Sequence, residues 1–235
     1  MNSIFYPAEE RGMTETNWLK SFHSFSFGNF YNPELMGFGL LRVLNDDKVI
    51  GGAGFARHPH DNMEILSIPL SGDLEHTDST GKSAVIKEGD VQIMSAGSGI
   101  MHSEKNANPG KLVEFLQIWI FPEKKDITPH YDQKFFPSEK RKNRLLTIVD
   151  PLGNKGVKIN QKAWLHMGKF DKDHSVSYPL NNSDNGIFIF VIEGSVTVGN
   201  HRLKERDALG ISGVDEVRLD CEPKTELLVI EVPMS

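Results

Sequence analysis

The chain has one cysteine, Cys221, among 235 residues. No intrachain disulfide can form, sulfur is left out of any metal cluster, and a reducing compartment suits the composition. Cys221 reads as a small buried apolar residue. Positive charge is also in short supply: 26 Lys and Arg against 32 Asp and Glu leave a formal charge of −6, and no segment gathers bases as a polyanion-binding surface requires. Direct binding of nucleic acid is not expected. There is no apolar run of about 18 residues, so no membrane partner is expected. The opening "MNSIFYPAEERG" carries acids where a signal peptide carries bases, which makes the cytoplasm the expected location. A G-x-S-x-G elbow and a Walker-type phosphate loop are both missing, which removes the commonest hydrolase and nucleotide-binding readings.

Long helical periodicity is nearly absent as well. In its place, short apolar runs punctuated by Gly, Asn and Asp predict an all-β chain of the sandwich or barrel kind. "LVEFLQIWIF" (112–121) sets Val113, Phe115, Gln117, Trp119 and Phe121 on one face and Leu112, Glu114, Leu116, Ile118 and Ile120 on the other. A strand apolar on both faces belongs inside a two-layered core. Charge and proline then dominate residues 122–143, as in a segment crossing a surface between domains. The domains expected are 1–131, a linker at 132–143, and 144–235.

The two halves resemble each other. "MEILSIPLSGDLEH" (63–76) lies over "NGIFIFVIEGSVTV" (185–198), each a strand, a tight glycine turn and a return strand. "EGDVQIMSAGSGI" (88–100) lies over "ERDALGISGVDEV" (205–217). Two copies of one antiparallel jelly-roll-type barrel, with few short helices, follow.

In "HPHDNMEI" (58–65), His58 and His60 point to one face of a strand, and Pro59, lacking a ladder N–H, places that strand at an edge or bulge. "HSE" repeats the spacing with His102 and Glu104. Two such pairs on strands facing each other across a small barrel would converge three imidazoles and one carboxylate, a donor set for a divalent first-row metal. The spacing nearly matches the cupin signature, in which the carboxylate ligand often stands at the Glu64 position. Glu64 lies about 13 Å beyond His60 in extended chain, so Glu104 is favoured as the ligand and Glu64 as a partner orienting a histidine.

"HPH", "LEHTDSTGK", "GDVQIMSAGSGIMHSE" and the upstream "WLKSFHSFSFGNFYNPELMGFGLLRV" together resemble the pirin family of two-barrel cupins, especially its bacterial members with quercetinase activity. The resemblance covers nearly all of the first 130 residues. It implies His58, His60, His102 and Glu104 as metal ligands, and one divalent ion per chain, iron(II) first, with nickel, copper, manganese or zinc as alternatives. It also implies a quercetin 2,3-dioxygenase reaction on a flavonol or related phenolic with dioxygen, Glu104 acting as catalytic base. Two other readings stay open: an iron-dependent regulator that binds a protein partner, and a metal cupin acting on another enol or phenol. Laying the halves over each other puts Leu180, Asn182, Gly186, Leu219 and Cys221 opposite the ligand positions, so the second barrel is expected to hold no metal.

Gly52, Gly54 and Ala56 share the parity of His58 and His60, leaving a low wall beside the expected ion or a close strand contact. Ala56, Met63 and Met94 are the candidate substrate contacts. "FHSFSFGNFY" (22–31) could line the pocket mouth, with His23 structural. His76, His130, His166, His174 and His201 have no partner at ligand spacing and receive no role.

Overall fold

The computed structural model describes residues 1–235. The first barrel is built from β2 (Gly12–Glu15), β3 (Leu19–His23), β4 (Leu41–Val49), β5 (Gly54–His60), β6 (Glu64–Ser71), β7 (Leu74–Asp78), β8 (Ser83–Ile86), β9 (Asp90–Ser95), β10 (Ile100–Asn106), β11 (Val113–Ile120) and β12 (His130–Phe135), preceded in the chain by β1 (Asn2–Tyr6). The second comprises β13 (Leu145–Asp150), β14 (Val157–Lys158), β15 (Trp164–Phe170), β16 (His174–Pro179), β17 (Asn185–Glu193), β18 (Ser195–Val198), β19 (His201–Lys204), β20 (Ala208–Ser212), β21 (Glu216–Cys221) and β22 (Thr225–Pro233). Each barrel pairs a seven-stranded sheet with a four-stranded one: β12-β9-β6-β11-β4-β3-β2 over β5-β10-β7-β8, and β1-β20-β17-β22-β15-β13-β14 over β16-β21-β18-β19. No helix is long and apolar enough to cross a membrane.

Alternation along the large-sheet strands builds two kinds of interior. Leu116, Ile118 and Ile120 of β11 and Leu66 and Ile68 of β6 leave the first barrel and meet Phe188, Phe190, Leu228 and Ile230 of the second, within a 27-residue core shared by both. The opposite face of β11, with Phe115, Gln117 and Trp119, looks into the first barrel. This is why "LVEFLQIWIF" is apolar on both faces: one face is the barrel lining and the other is the joint between barrels.

Two strands cross the expected boundaries. β1 pairs with β20 of the second barrel, from Asn2 opposite Ser212 to Tyr6 opposite Ala208. β12 pairs with β9 of the first barrel, from His130 opposite Ser95 to Phe135 opposite Asp90, so a division at residue 131 would cut a strand. The edges of β20 and β9 each need a partner for their backbone groups, a demand that local composition does not reveal. Asp46 on β4 strengthens the joint, accepting Arg11 at 3.2 Å and Arg206 of the second barrel at 3.3 Å.

Candidate metal centre and cavity

His58 and His60 sit on β5, the edge strand of its sheet, as Pro59 requires. His102 and Glu104 sit on β10. These strands do not face each other across the barrel as the sequence suggested; they are hydrogen-bonded neighbours, with His102 directly opposite His58 and Ile100 opposite His60. Adjacent antiparallel strands bring side chains on one face within about 4.5–5.5 Å at Cβ. The rings accordingly cluster, their centroids 4.8 Å apart for His58 and His60, 4.4 Å for His58 and His102, and 4.9 Å for His60 and His102.

The ligand atoms of His58, His60 and His102 lie within 4.8 Å of one another, and those of His76, His102 and Glu104 form a second such trio. His102 joins the two. His58 Nδ1 lies 2.8 Å from the Ala56 carbonyl oxygen; donating there leaves Nε2 free as a lone-pair donor. His60 Nε2 and both ring nitrogens of His102 are buried and make no hydrogen bond. Burial, reinforced by the neighbouring imidazoles, lowers the pKa of His60 to about 4 and that of His102 to about 2. Neutral rings with unsatisfied, convergent nitrogens are what a divalent ion needs.

Glu104 is buried. Its Oε1 lies 2.8 Å from the Ser67 hydroxyl, its Oε2 accepts the Gln117 amide at 3.1 Å, and Ser67 is also 2.8 Å from Gln117 Oε1. One hydroxyl proton cannot serve two acceptors. The ring of contacts is complete when Glu104 itself carries a proton, in agreement with burial raising its pKa to about 7.

The register of β5 against β10 slips between the pairs His102–His58 and Glu104–Phe55. This β-bulge inserts one residue into β5 and reverses side-chain parity. Phe55, rather than Gly54 and Ala56, therefore shares the histidine face. Gly54 packs so closely that a Cβ there would come 2.1 Å from the Glu104 carbonyl oxygen.

A cavity of about 200 Å³ opens beside the centre. His58 and Glu104 bound it on one side, Ser21, Asn45 and Asp47 on another, and Phe27, Phe55 and Trp119 supply aromatic walls. None of the three residues expected to touch substrate lines it. Met94 is fully buried in an apolar plug with Ile65, Ala96 and Ile100. Met63 borders a separate cleft beyond His60 and Trp119, and Ala56 borders a shallow recess outside β5.

Glu64 also departs from expectation. The chain does turn at Asn62, with φ of 46°, but Glu64 Oε2 accepts the Ser95 hydroxyl at 2.7 Å and the Asn160 backbone N–H at 3.0 Å. It ties the first barrel to the second and orients no histidine.

Several residues were overlooked in the sequence. His76 stands buried with its ring centroid 5.3 Å from that of His102, its Nε2 lies 3.0 Å from Asp78 Oδ2, and its Nδ1 is unpartnered. His76 and Asp78 repeat the two-residue spacing inside "LEHTD", a signal that could have been used. Ser67 and Gln117 were detectable only as polar residues in otherwise apolar strands, and Asp47 is hidden in the polar stretch 45–48. His23 has the packed, hydrogen-bonded character expected of it, yet it also lines the cavity together with Phe27 of the aromatic segment.

A pirin model matches residues 7–120, and a quercetinase C-terminal cupin domain model matches residues 147–232. The chain is 37% identical over 226 residues to a quercetin 2,3-dioxygenase of Escherichia coli K12, covering 96% of both. It is 38% identical over 229 residues to a putative quercetin 2,3-dioxygenase of Mycobacterium tuberculosis H37Rv, covering 96% of this chain and 93% of the other. The crystal structure of the E. coli bacterial pirin YhhW in complex with nickel(II) superimposes with a TM-score of 0.94 at 34% identity over the whole of both chains. A quercetin 2,3-dioxygenase from Acinetobacter baumannii, 18% identical, shares the fold with a TM-score of 0.77 over 98% of this chain and 79% of that one.

Proposed function

Because the chain belongs to the pirin family, we infer that it is a metal-dependent dioxygenase that opens a flavonol such as quercetin with dioxygen and releases carbon monoxide. The observation that carries this reading is the set of buried imidazole nitrogens without hydrogen bonds at His60 and His102, with His58 Nε2 set free beside them. His58, His60, His102 and Glu104 would hold one divalent ion and leave about two positions open in octahedral geometry. Iron(II) is the ion proposed; the nickel(II) bound by YhhW supports a site that also accepts later first-row metals. When bound, the ion supplies a Lewis acid and a template for the flavonol 3-hydroxyl and dioxygen.

The protein's own groups do the rest. Glu104, at the cavity wall, takes the proton of the 3-hydroxyl, whose loss the adjacent cation would favour. Ser67 and Gln117 hold the carboxyl plane in place. Phe27, Phe55 and Trp119 bind the faces of a flat ring system and exclude water from it.

Oxygen uptake on adding quercetin to protein loaded separately with iron(II), nickel, copper or manganese tests the reading. One carbon monoxide released per dioxygen consumed is the expected result, with uptake and metal both lost in His60→Ala. Glu104→Gln at full metal occupancy should lower kcat by about 10²–10⁴-fold. Undiminished turnover in that variant would remove the base role, and no uptake with any loaded metal would overturn the flavonol assignment.

A further inference from the structure

The cavity has a second polar side that the reaction chemistry leaves unused. Asn45 and Asp47, two residues apart on β4, lie on one face and are almost fully buried in the cavity wall. Their hydrogen bonds can be followed one by one. His23 Nδ1 lies 2.9 Å from Asn45 Oδ1 and 3.3 Å from the Ser21 hydroxyl oxygen, and His23 Nε2 lies 2.9 Å from the Thr14 hydroxyl. With Nδ1 donating to Asn45, Nε2 accepts from Thr14, and the Asn45 amide nitrogen has no partner in the protein. Asp47 Oδ1 accepts the Ser21 hydroxyl, and Oδ2 makes no hydrogen bond. An amide donor and a carboxylate acceptor thus stand free, side by side, on the cavity wall.

The fold does not require either group. The second barrel repeats the same ladder: Asn45 pairs with Gln117 and Asp47 with Phe115, while His166 pairs with Val229 and Gly168 with Leu227. Matching Ser67–Gln117 to Ile189–Val229 makes Gly168 the counterpart of Asp47. A carboxylate at this position is costly, since burial raises the Asp47 pKa to about 7, and the sister barrel is built without one.

We propose that Asn45 and Asp47 bind hydroxyl groups on the substrate ring remote from the metal, so that the preferred substrate is a phenolic hydroxylated at both ends with an apolar middle. This rests on the flavonol reading of the site. A hydroxyl donates to Asp47 Oδ2 and accepts from Asn45, while Phe27, Phe55 and Trp119 contact the rings between.

Equilibrium binding of three flavonols to the metal-loaded protein tests the proposal. Galangin has no hydroxyl on its pendant ring, kaempferol has one and quercetin two; kaempferol lacks the catechol that could chelate metal. Kaempferol and quercetin should bind the native chain about tenfold more tightly than galangin, as expected for one net hydrogen bond at a buried site. Asp47→Asn should bring the three within about twofold while leaving galangin unchanged. The native chain alone decides if that variant fails to fold. Equal affinity for all three flavonols overturns the proposal and leaves the dioxygenase reading standing. An Asp47→Asn chain that keeps the full preference overturns it in the same way. Graded binding without oxygen uptake supports the proposal and sinks the dioxygenase reading, and no binding at all overturns both.

Discussion

The two barrels share the order of their central strands, yet one interior holds a cluster of imidazoles and carboxyls and the other is mostly hydrocarbon. Ser67 and Gln117, paired across β6 and β11, have Ile189 and Val229 as their counterparts across β17 and β22. The first barrel confines apolar packing to two ends, around Phe115 and around Met94, and leaves His76, His102, Glu104, Asp47 and Gln117 between them. The second packs fifteen buried apolar residues through the same space, Ile189, Leu219, Cys221 and Val229 among them. A cupin barrel therefore does not need a metal to close. The centre of the first barrel is a cost accepted within a frame whose sister keeps one buried carboxylate, Glu231, fully bonded to Tyr178, Asn181 and Asn185.

The sharpest way to break the comparison is to put the first barrel's chemistry into the second. Ile189→Ser removes a fully buried branched side chain and leaves a hydroxyl among Leu209, Leu227 and Val229. Cavity and desolvation terms together should cost about 4 kcal/mol. Denaturant unfolding of the metal-free chain would read this as a lower midpoint, and a loss under about 1 kcal/mol would mean that the second interior tolerates polarity as the first does.

A second test concerns pH. Glu104 is held with its pKa raised from 4.5 to about 7, burial being the main cause. Between those values the folded chain binds more protons at this site than the unfolded chain. The contribution is fully present below about pH 4.5 and is lost as pH rises through 7, a swing of about 3 kcal/mol. His60, lowered to about 4, acts in the opposite sense: its folded form resists protonation, so stability falls as pH drops below 6.5. His102, lowered to about 2, and His166, lowered to about 4, act with His60, while Asp47, raised to about 7, acts with Glu104. With His23 and His76 also lowered by burial the histidines outweigh the carboxyls, so unfolding midpoints of metal-free protein should rise with pH between about 5 and 6.5, and Glu104→Gln should steepen that rise.

The parts of this contrast that were legible beforehand are local. His58 with His60, and His102 with Glu104, each depend only on the two-residue period of one strand. The weak repeat likewise exposed both barrels through the turns at Gly72 and Gly194. What required long-range register was misread. The bulge in β5 moved Phe55 onto the face assigned to Gly54 and Ala56, and pairing placed β5 beside β10 rather than opposite it. The same cause displaced the comparison of the halves. With Leu74 equivalent to Val196, their partners Asn106 and Cys221 correspond. Val217 and Leu219 then replace His102 and Glu104, and Tyr178, paired with Val217, replaces His58. The sequence overlay was thus two residues off, because the β20–β21 connection is shorter and the β16–β17 connection longer than their counterparts. Asp47 escaped notice because an acid in "NDDK" looks solvated until both faces of β4 are seen to be covered.

The smallest effect expected is also the most selective. Ser67 has one hydroxyl proton and two acceptors, Glu104 Oε1 and Gln117 Oε1, each at 2.8 Å. In the metal-free chain, Ser67→Ala removes the partner of both Glu104 Oε1 and Gln117 Oε1 while Gln117 still holds Glu104 through Oε2, so stability should fall by about 1–3 kcal/mol. If Glu104 is a ligand, as proposed, it would be ionised with metal bound and rely on its donors for orientation, and loss of one such partner should weaken metal affinity by about 10–100-fold. Calorimetric titration with nickel(II) beside a denaturant curve separates the two effects. A tenfold weaker site in a chain that still folds would mark Ser67 as a residue that positions the ligand. Equal metal affinity would leave Ser67 as a remnant of packing, no different in kind from Ile189 in the second barrel.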